Sequence, residues 1–452
     1  MSTTGFGFLL GTDLGAGEGG GGGGGGGGSG ATTGKYDVGL SELRGLYDAV
    51  VLSCGAGGGK RLRVAGGGLG NVVSAREFVN WYNGGIDVMD ADGDRHAVMS
   101  CLSSRMGRVR SVVVCGLGNV ALDCARVLLK DAETALHPTD MVSRAVRALA
   151  GGGVEEVHVL SRRGPAQAAC TPKELREVLG LPGVRVRVHP EGVLDGMGPR
   201  CLEELEGSRI HRRVVDVLRK AGGSGDAISI HTKELHLHFL SSPAKYEGDG
   251  DGFVATTVVE RMALDGGEGS GGVPRAPQRA VRTGETFRIP SDLVIESVGY
   301  KAVPMEGAPF DEVTGTVPNV LGRVTFAGGE NGDGSERERD RERDDLYCCG
   351  WLKRGPTGII GTNLVDAEQT VDTMVRHVRA KVGPRSGAPA EAGEAWGRAG
   401  LSELLRARKT TVVTFDAWER IDAEEVRRGE EIGKVREKFV DVDEMLAHCN
   451  AS

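Results

Sequence analysis

The sequence predicts an α/β fold built around dinucleotide-binding βαβ units, and three stretches carry that prediction. Residues 112–123 read Val-Val-Val-Cys-Gly-Leu-Gly-Asn-Val-Ala-Leu-Asp: a β-branched apolar run, a glycine pair, then helix-forming residues. Residues 154–161, Val-Glu-Glu-Val-His-Val-Leu-Ser, form a second strand that ends in Arg162-Arg163-Gly164. Residues 350–362 run from a short strand end through Gly-Pro-Thr-Gly into a long amphipathic helix reaching Lys381.

Each residue of the first stretch has a physical reason. Gly116 allows the tight turn, and Gly118 lets backbone approach a pyrophosphate with no Cβ between them. Ala121 stands where a third glycine would bring helix and strand together. Asn119 and Val120 point helix N-terminal N–H groups at phosphate. Alone, a glycine-rich strand–helix turn is weak evidence, because such turns also occur without a ligand. The arginines after the second strand strengthen it. An acidic residue there would bind a ribose 2′-hydroxyl, whereas Arg162 and Arg163 suit a 2′-phosphate, favouring NADP over NAD. The spacing exceeds the usual ~20 residues, so this reading requires the two strands to be neighbours. The plain alternative is a solvated strand end.

Composition bounds the rest. The 452 residues suffice for two or three domains, but many of the 74 glycines lie in tracts that cannot form a core. A net charge of −8 argues against a general nucleic-acid surface. The nine cysteines include no C-x-x-C pair, which argues against a disulfide-reductase mechanism and fits reduced thiols. No apolar run is long enough to span a bilayer, so any membrane association is expected to be peripheral.

In chain order, residues 6–13 suggest one strand and turn, followed by a polyglycine insert at 15–34. Residues 40–47 read as a helix and 49–56 as a buried strand; Ser74 caps a helix ending at Asn83-Gly84. The fingerprint helix extends from Asn119 to about residue 131, with a second helix over 140–150. Thr171-Pro172-Lys173-Glu174 opens a helix with Thr171 as N-cap, Pro172 at N1 and Glu174 completing a capping box. Strands are expected over 184–188, 253–261, 286–289 and 293–300. The basic run Arg209, His211, Arg212, Arg213 is an ordinary solvated helix face or a docking patch for an acidic partner. His231, His236 and His238 lie in a strand-like segment, and the last two share a face. No carboxylate or cysteine is placed to complete a site, so they read as strand histidines and no metal is expected. Residues 328–345 are densely charged and read as a second insert.

Four segments together, 116–126 (GLGNVALDCAR), 161–177 (SRRGPAQAACTPKELRE), 297–301 (SVGYK) and 350–363 (GWLKRGPTGIIGTN), resemble the adrenodoxin reductase family. Residues 415–446 are similar to that family's tail. The resemblance covers most of the chain outside the inserts. It implies an NADPH-dependent flavoprotein that reduces a 2Fe–2S ferredoxin, with FAD and NADP(H) as cofactors and a mitochondrial matrix location. Leu117, Gly118, Asn119 and Val120 would hold the NADP pyrophosphate, Arg162 and Arg163 its 2′-phosphate, and Glu174 would also touch NADP. Leu10, Trp351, Gly358, Ile359 and Ile360 would contact FAD, with Gly358 also close to NADP. Arg176, Arg209, Arg212 and Arg213 would form the docking face for an acidic ferredoxin. No catalytic acid or base is assigned, because the cofactors carry the chemistry.

The architecture expected is therefore two Rossmann-like dinucleotide-binding domains, with the NADP domain (109–299) inserted in a discontinuous FAD domain (1–108 and 300–452, the latter including a C-terminal tail). The FAD domain is expected to be N-terminally incomplete. Family members open with their own G-x-G-x-x-G unit, and this sequence enters near a later strand of that domain. Two rival readings follow. One is an NADP(H)-binding remnant without FAD, which flavin content would separate. The other is an NADPH-dependent flavin oxidoreductase subunit with another acceptor, whose relatives carry cysteine clusters that are lacking here.

Overall fold

A computed structural model of the chain describes residues 38–85, 97–222, 233–265, 278–326, 345–358, 360–381 and 397–450. The expected strand at 6–13 with Leu10, the polyglycine tract, His231, Ile359 and residues 328–344 lie outside the described residues.

The chain forms two compact units, each discontinuous in sequence: Met1–Gly58 with Gly299–Val412, and Gly59–Val298 with Val413–Ser452.

The second unit is organised by a six-stranded, wholly parallel sheet. Its order is Val72–Ser74, Leu293–Glu296, Ser111–Cys115, Glu156–Leu160, Lys233–His238, Val184–His189. Strands covered on both faces must be apolar along their length, and residues 112–115 are indeed all buried, at 0–1% exposure. One face packs on the helices Ala75–Asn83, Asn119–Leu129, Ser143–Ala150, Pro172–Leu179 and Arg209–Gly222. Opposite it, Val113, Leu160 and Val294 pack against Tyr246, Val259 and Ile289 of an antiparallel three-stranded sheet. That sheet runs Ser241–Gly248, Val254–Asp265, Arg279–Pro290, its last two strands much longer than their sequence signals. Long strands pair there because cross-strand contacts compensate for polar, exposed composition.

Two boundaries differ from expectation. Residues 59–85 belong with this unit rather than with the preceding segment. Val72–Ser74 is the sheet's edge strand, and Phe78 and Trp81, both 0% exposed, join the core of Val112 and Val114. The tail helices Phe415–Glu431 and Val442–Asn450 also belong here. They are tied down by Glu437, which accepts from Ser143 N (3.0 Å) and Oγ (2.8 Å), and by buried Lys434, which donates to the Met141 carbonyl.

The first unit holds a four-stranded sheet, Val50–Leu52, Leu346–Cys348, Arg323–Val324, Asn319–Val320, with the first pair parallel. Leu40, Leu52, Leu346 and Leu352 form its core. Asp345, expected to close a solvated insert, is instead buried. It accepts from Arg44 Nη2 at 2.7 Å and Nε at 2.9 Å, which compensates for taking both charges out of water.

Candidate dinucleotide sites

The fingerprint turn sits at the carboxyl ends of the parallel strands, where open α/β sheets bind ligands. Gly116 adopts φ +124°. A Cβ there would lie 2.2 Å from the Ser297 carbonyl oxygen of the neighbouring strand's exit. Its N–H donates to Leu160 O at 2.9 Å, and Ser297 N donates to Cys115 O at 2.8 Å, so the turn is clamped from both sides. Only glycine fits. Gly118 is different: a Cβ on it would meet nothing within 4 Å. It is the N-cap of the helix Asn119–Leu129, and no side chain caps that end. The helix therefore presents first-turn N–H groups to open space, with its positive dipole end behind them. A phosphate fits there. Leu117 and Ala121 are buried beneath, while Asn119 and Val120 are half-buried at the rim.

Glu156–Leu160 is the immediate parallel neighbour of Ser111–Cys115, which satisfies the condition on the arginine reading. Arg162 is exposed just past its end. Arg163 is half-buried and donates from Nη2 to Gln167 O at 3.4 Å, while its carbonyl accepts from Ser161 Oγ at 3.0 Å.

The capping box at Thr171 is only half made. Thr171 Oγ1 accepts from Glu174 N at a long 3.5 Å, but Thr171 N donates to Asn119 Oδ1 at 2.8 Å instead of to Glu174. A tertiary acceptor has displaced the local one. The exchange brings the N-termini of two helices together, with half-buried Glu174 in the first turn beside the fingerprint.

Sequence reading missed the group at the end of the adjacent strand. Glu296 is 2% exposed. It accepts from Tyr246 Oη at 3.0 Å and from Leu62 N at 3.2 Å, with Arg61 Nε 3.2 Å away. Burial raises its pKa above the ordinary carboxylate range, Arg61 opposing. Cys115 Sγ lies 3.6 Å from the same phenol, and burial pushes its thiol up to about 12, so it stays protonated and inert. One signal was available, an acidic residue within the apolar run Leu-Val-Ile-Glu; its partners come from distant segments.

In the other unit, the Gly350–Thr357 turn is held by a buried ion pair, Lys353 Nζ to Asp366 Oδ1 at 2.9 Å, and by the Gly350 N–H donating to Asp366. Half-buried Trp351 stacks on Tyr300, centroids 5.6 Å apart. Gly358 is exposed at φ +93°, and a Cβ there would come 2.2 Å from Thr362 Oγ1. The helix Ile360–Lys381 follows, as expected; of Ile360 only its helical backbone is described. At its start Gly361 has open space over it, and Leu364 and Val365 are exposed at 62% and 65%. Open space at a helix start beside uncovered apolar side chains fits a flat, amphipathic cofactor.

Arg209, Arg212 and Arg213 are all exposed on the helix Arg209–Gly222, whose other face buries Val214, Val215 and Leu218. Arg176 is exposed on Pro172–Leu179, which packs on that helix through Leu175 and Val178.

A fold of two α/β units with an uncapped fingerprint helix and arginines just past the next strand defines a dinucleotide-dependent protein. The comparisons make this specific. No protein-family model matches the chain. It is 39% identical over 415 residues to the mitochondrial NADPH:adrenodoxin oxidoreductase of Arabidopsis thaliana, spanning 91% of this chain and 79% of that one. The human protein of the same name is 37% identical over 417 residues, covering 91% and 76% respectively. The NADPH-ferredoxin reductase FprA of Mycobacterium tuberculosis is 36% identical over 409 residues, or 90% and 79%. FprA solved in complex with NADPH superposes with a TM-score of 0.75 at 34% identity, covering 91% of this chain and 81% of FprA. The chain belongs to the adrenodoxin reductase family of NADPH–ferredoxin reductases, and its fold class is two Rossmann-type domains.

Proposed function

We propose that this chain is a flavoprotein oxidoreductase that moves electrons from NADPH, through FAD, to a 2Fe–2S ferredoxin of the adrenodoxin type. The observation that carries the reading is the uncapped, unobstructed helix end at Gly118 with Arg162 and Arg163 just past the end of the adjoining strand. It stands within 36–39% identity to NADPH-dependent reductases.

Leu117 and Gly118 shape the phosphate seat, and the N–H groups of Asn119 and Val120 donate to the pyrophosphate. Arg162 and Arg163 supply forked donors for the 2′-phosphate, which NADH lacks. Glu174, in the first turn of the helix whose Thr171 N–H meets Asn119, orients the ribose or nicotinamide end. Trp351, Gly358 and Ile360 would hold FAD, as would Leu10 and Ile359. Bound FAD supplies the conversion of a two-electron donor into single electrons for an iron–sulfur acceptor. The side chains bind, orient and exclude water, and no general acid or base is needed. Arg176, Arg209, Arg212 and Arg213 attract an acidic ferredoxin, and Ile210, 57% exposed among them, offers an apolar contact at the same place.

The decisive assay is ferredoxin reduction by the purified chain with NADPH or NADH as donor, alongside its visible spectrum. A flavin spectrum with NADPH-specific reduction supports the proposal; NADPH binding without flavin would leave a nucleotide-binding remnant. A mitochondrial matrix location follows from the plant and animal relatives, and fractionation of the tagged protein tests it. No described helix is long and apolar enough to cross a membrane.

A further inference from the structure

The sheet face beyond the fingerprint carries an unusual row of imidazoles. Strand register sets His158 opposite His236 and His189 opposite His238, and residues 236 and 238 share a face. Four histidines from three adjacent parallel strands therefore meet on one side of the sheet. The rings stack, with centroids 4.4 Å apart for His158 and His236 and 4.6 Å for His189 and His238. His158 and His238 are buried, at 7% and 8% exposure, and Phe287 of the antiparallel sheet lies over His238.

The hydrogen bonds decide which nitrogens are available. Glu156 Oε2 lies 3.1 Å from His158 Nε2, which fixes the proton there and leaves the Nδ1 lone pair facing His238 Nε2 at 3.2 Å. A carboxylate behind the ring, with the other nitrogen turned inward, is the outer-shell arrangement of metal-ligating histidines. His236 Nε2 is buried without a hydrogen-bond partner; Glu234 Oε2 is 3.0 Å away but out of line. Its Nδ1 faces His189 Nε2 at 3.1 Å. The His158–His238 nitrogen pair is closed by its own hydrogen bond, which an ion would replace, while the buried His236 Nε2 has no partner in the cluster.

We propose that His158, His236 and His238 bind a divalent transition-metal ion, with Zn²⁺ as the reference ion. One ligand nitrogen from each lies within 4.8 Å of the others. A tetrahedral ion with bonds of about 2.0–2.1 Å spaces its donors about 3.3 Å apart, close to the 3.2 Å between His158 and His238. Three neutral imidazoles leave one position open for water. Glu156 and Glu234 supply the compensating negative charge. Arg187, which pairs with Glu234 at 2.9 and 3.1 Å, Arg185 and Arg261 oppose it. The ion would clamp the strands Glu156–Leu160 and Lys233–His238, independently of nucleotide or flavin.

The test uses the full chain, stripped with chelator and dialysed into metal-free buffer. Calorimetric titration with Zn²⁺ is expected to show one ion per chain and a raised melting temperature. Co²⁺ in its place is expected to give d–d bands of nitrogen ligation with no thiolate charge-transfer band, which separates this site from the nine cysteines. His158→Gln and His238→Gln should each weaken binding at least tenfold, with the far-ultraviolet circular dichroism retained. Glu156→Gln should weaken it about tenfold through the outer shell. The proposal is overturned if the unmutated chain retains no ion, if the His158→Gln/His238→Gln double variant binds as tightly, or if Co²⁺ shows thiolate ligation. The first and last outcomes need no variant to fold.

Discussion

At the residue scale, Gly116 and Gly118 look alike in sequence and do different work. Gly116 is a steric requirement, gripped against the Ser297 carbonyl at a positive φ. Gly116→Ala should therefore destabilise the fold, since the strained backbone alone is worth about 1–3 kcal/mol and a carbonyl must also move. Urea unfolding measures it. Gly118 has ordinary backbone angles and empty space around it. Gly118→Ala should leave the urea midpoint unchanged while raising KM for NADPH, because the methyl group occupies the phosphate seat. Arg162→Ala combined with Arg163→Ala should raise KM for NADPH about ten- to a hundredfold, the worth of one or two charged hydrogen bonds, and leave NADH use unchanged. Steady-state kinetics with the two donors separates a 2′-phosphate role from a merely solvated strand end. The glycines and arginines were legible in the sequence because each is dictated by local backbone or ligand chemistry. The half-made capping box was not, because Asn119 lies 52 positions from Thr171 and only the tertiary fold makes it the better acceptor.

At the element scale, apolar patterning revealed the buried strands at 111–115 and 293–296, the helix at Ala75–Asn83 and the long helix to Lys381. It did not show that 59–85 and 413–450 belong to the unit built on that sheet, because association between distant elements leaves no local periodicity. The histidines were half legible: 236 and 238 share a face by alternation, but His158 and His189 join them only through strand register. Tail docking depends on a carboxylate. Burial works to raise the Glu437 pKa, but Lys434 and the Ser143 N–H and hydroxyl outweigh it and hold the value below the ordinary range. A depressed carboxylate stabilises above its unfolded pKa, and that contribution disappears as pH falls through the folded value. Protection of the tail helices from hydrogen exchange should thus decline on acidification below about pH 4.3, and Glu437→Gln should show the loss already at neutral pH. On the helix Arg209–Gly222, reversing Arg209, Arg212 and Arg213 to Glu should raise KM for ferredoxin and flatten its salt dependence. Turnover with a small neutral dye should persist. Equal loss with both acceptors would instead mark a folding defect.

At the scale of the whole molecule, the two units alternate along the chain, 1–58 and 299–412 in one and 59–298 and 413–452 in the other, where a single insertion with bounds at 109–299 was expected. The division of labour proposed follows: the parallel-sheet unit takes the nicotinamide nucleotide, and the other holds flavin at the start of its 22-residue helix. The measurement that bears most directly on this is stopped-flow absorbance of the purified, FAD-supplemented chain mixed with NADPH and an oxidised 2Fe–2S ferredoxin. The account predicts a flavin spectrum that bleaches on NADPH addition and a subsequent loss of the ferredoxin visible bands, both far slower with NADH. A flavin-containing chain that leaves the ferredoxin oxidised, or that reduces it equally well from NADH, would contradict it.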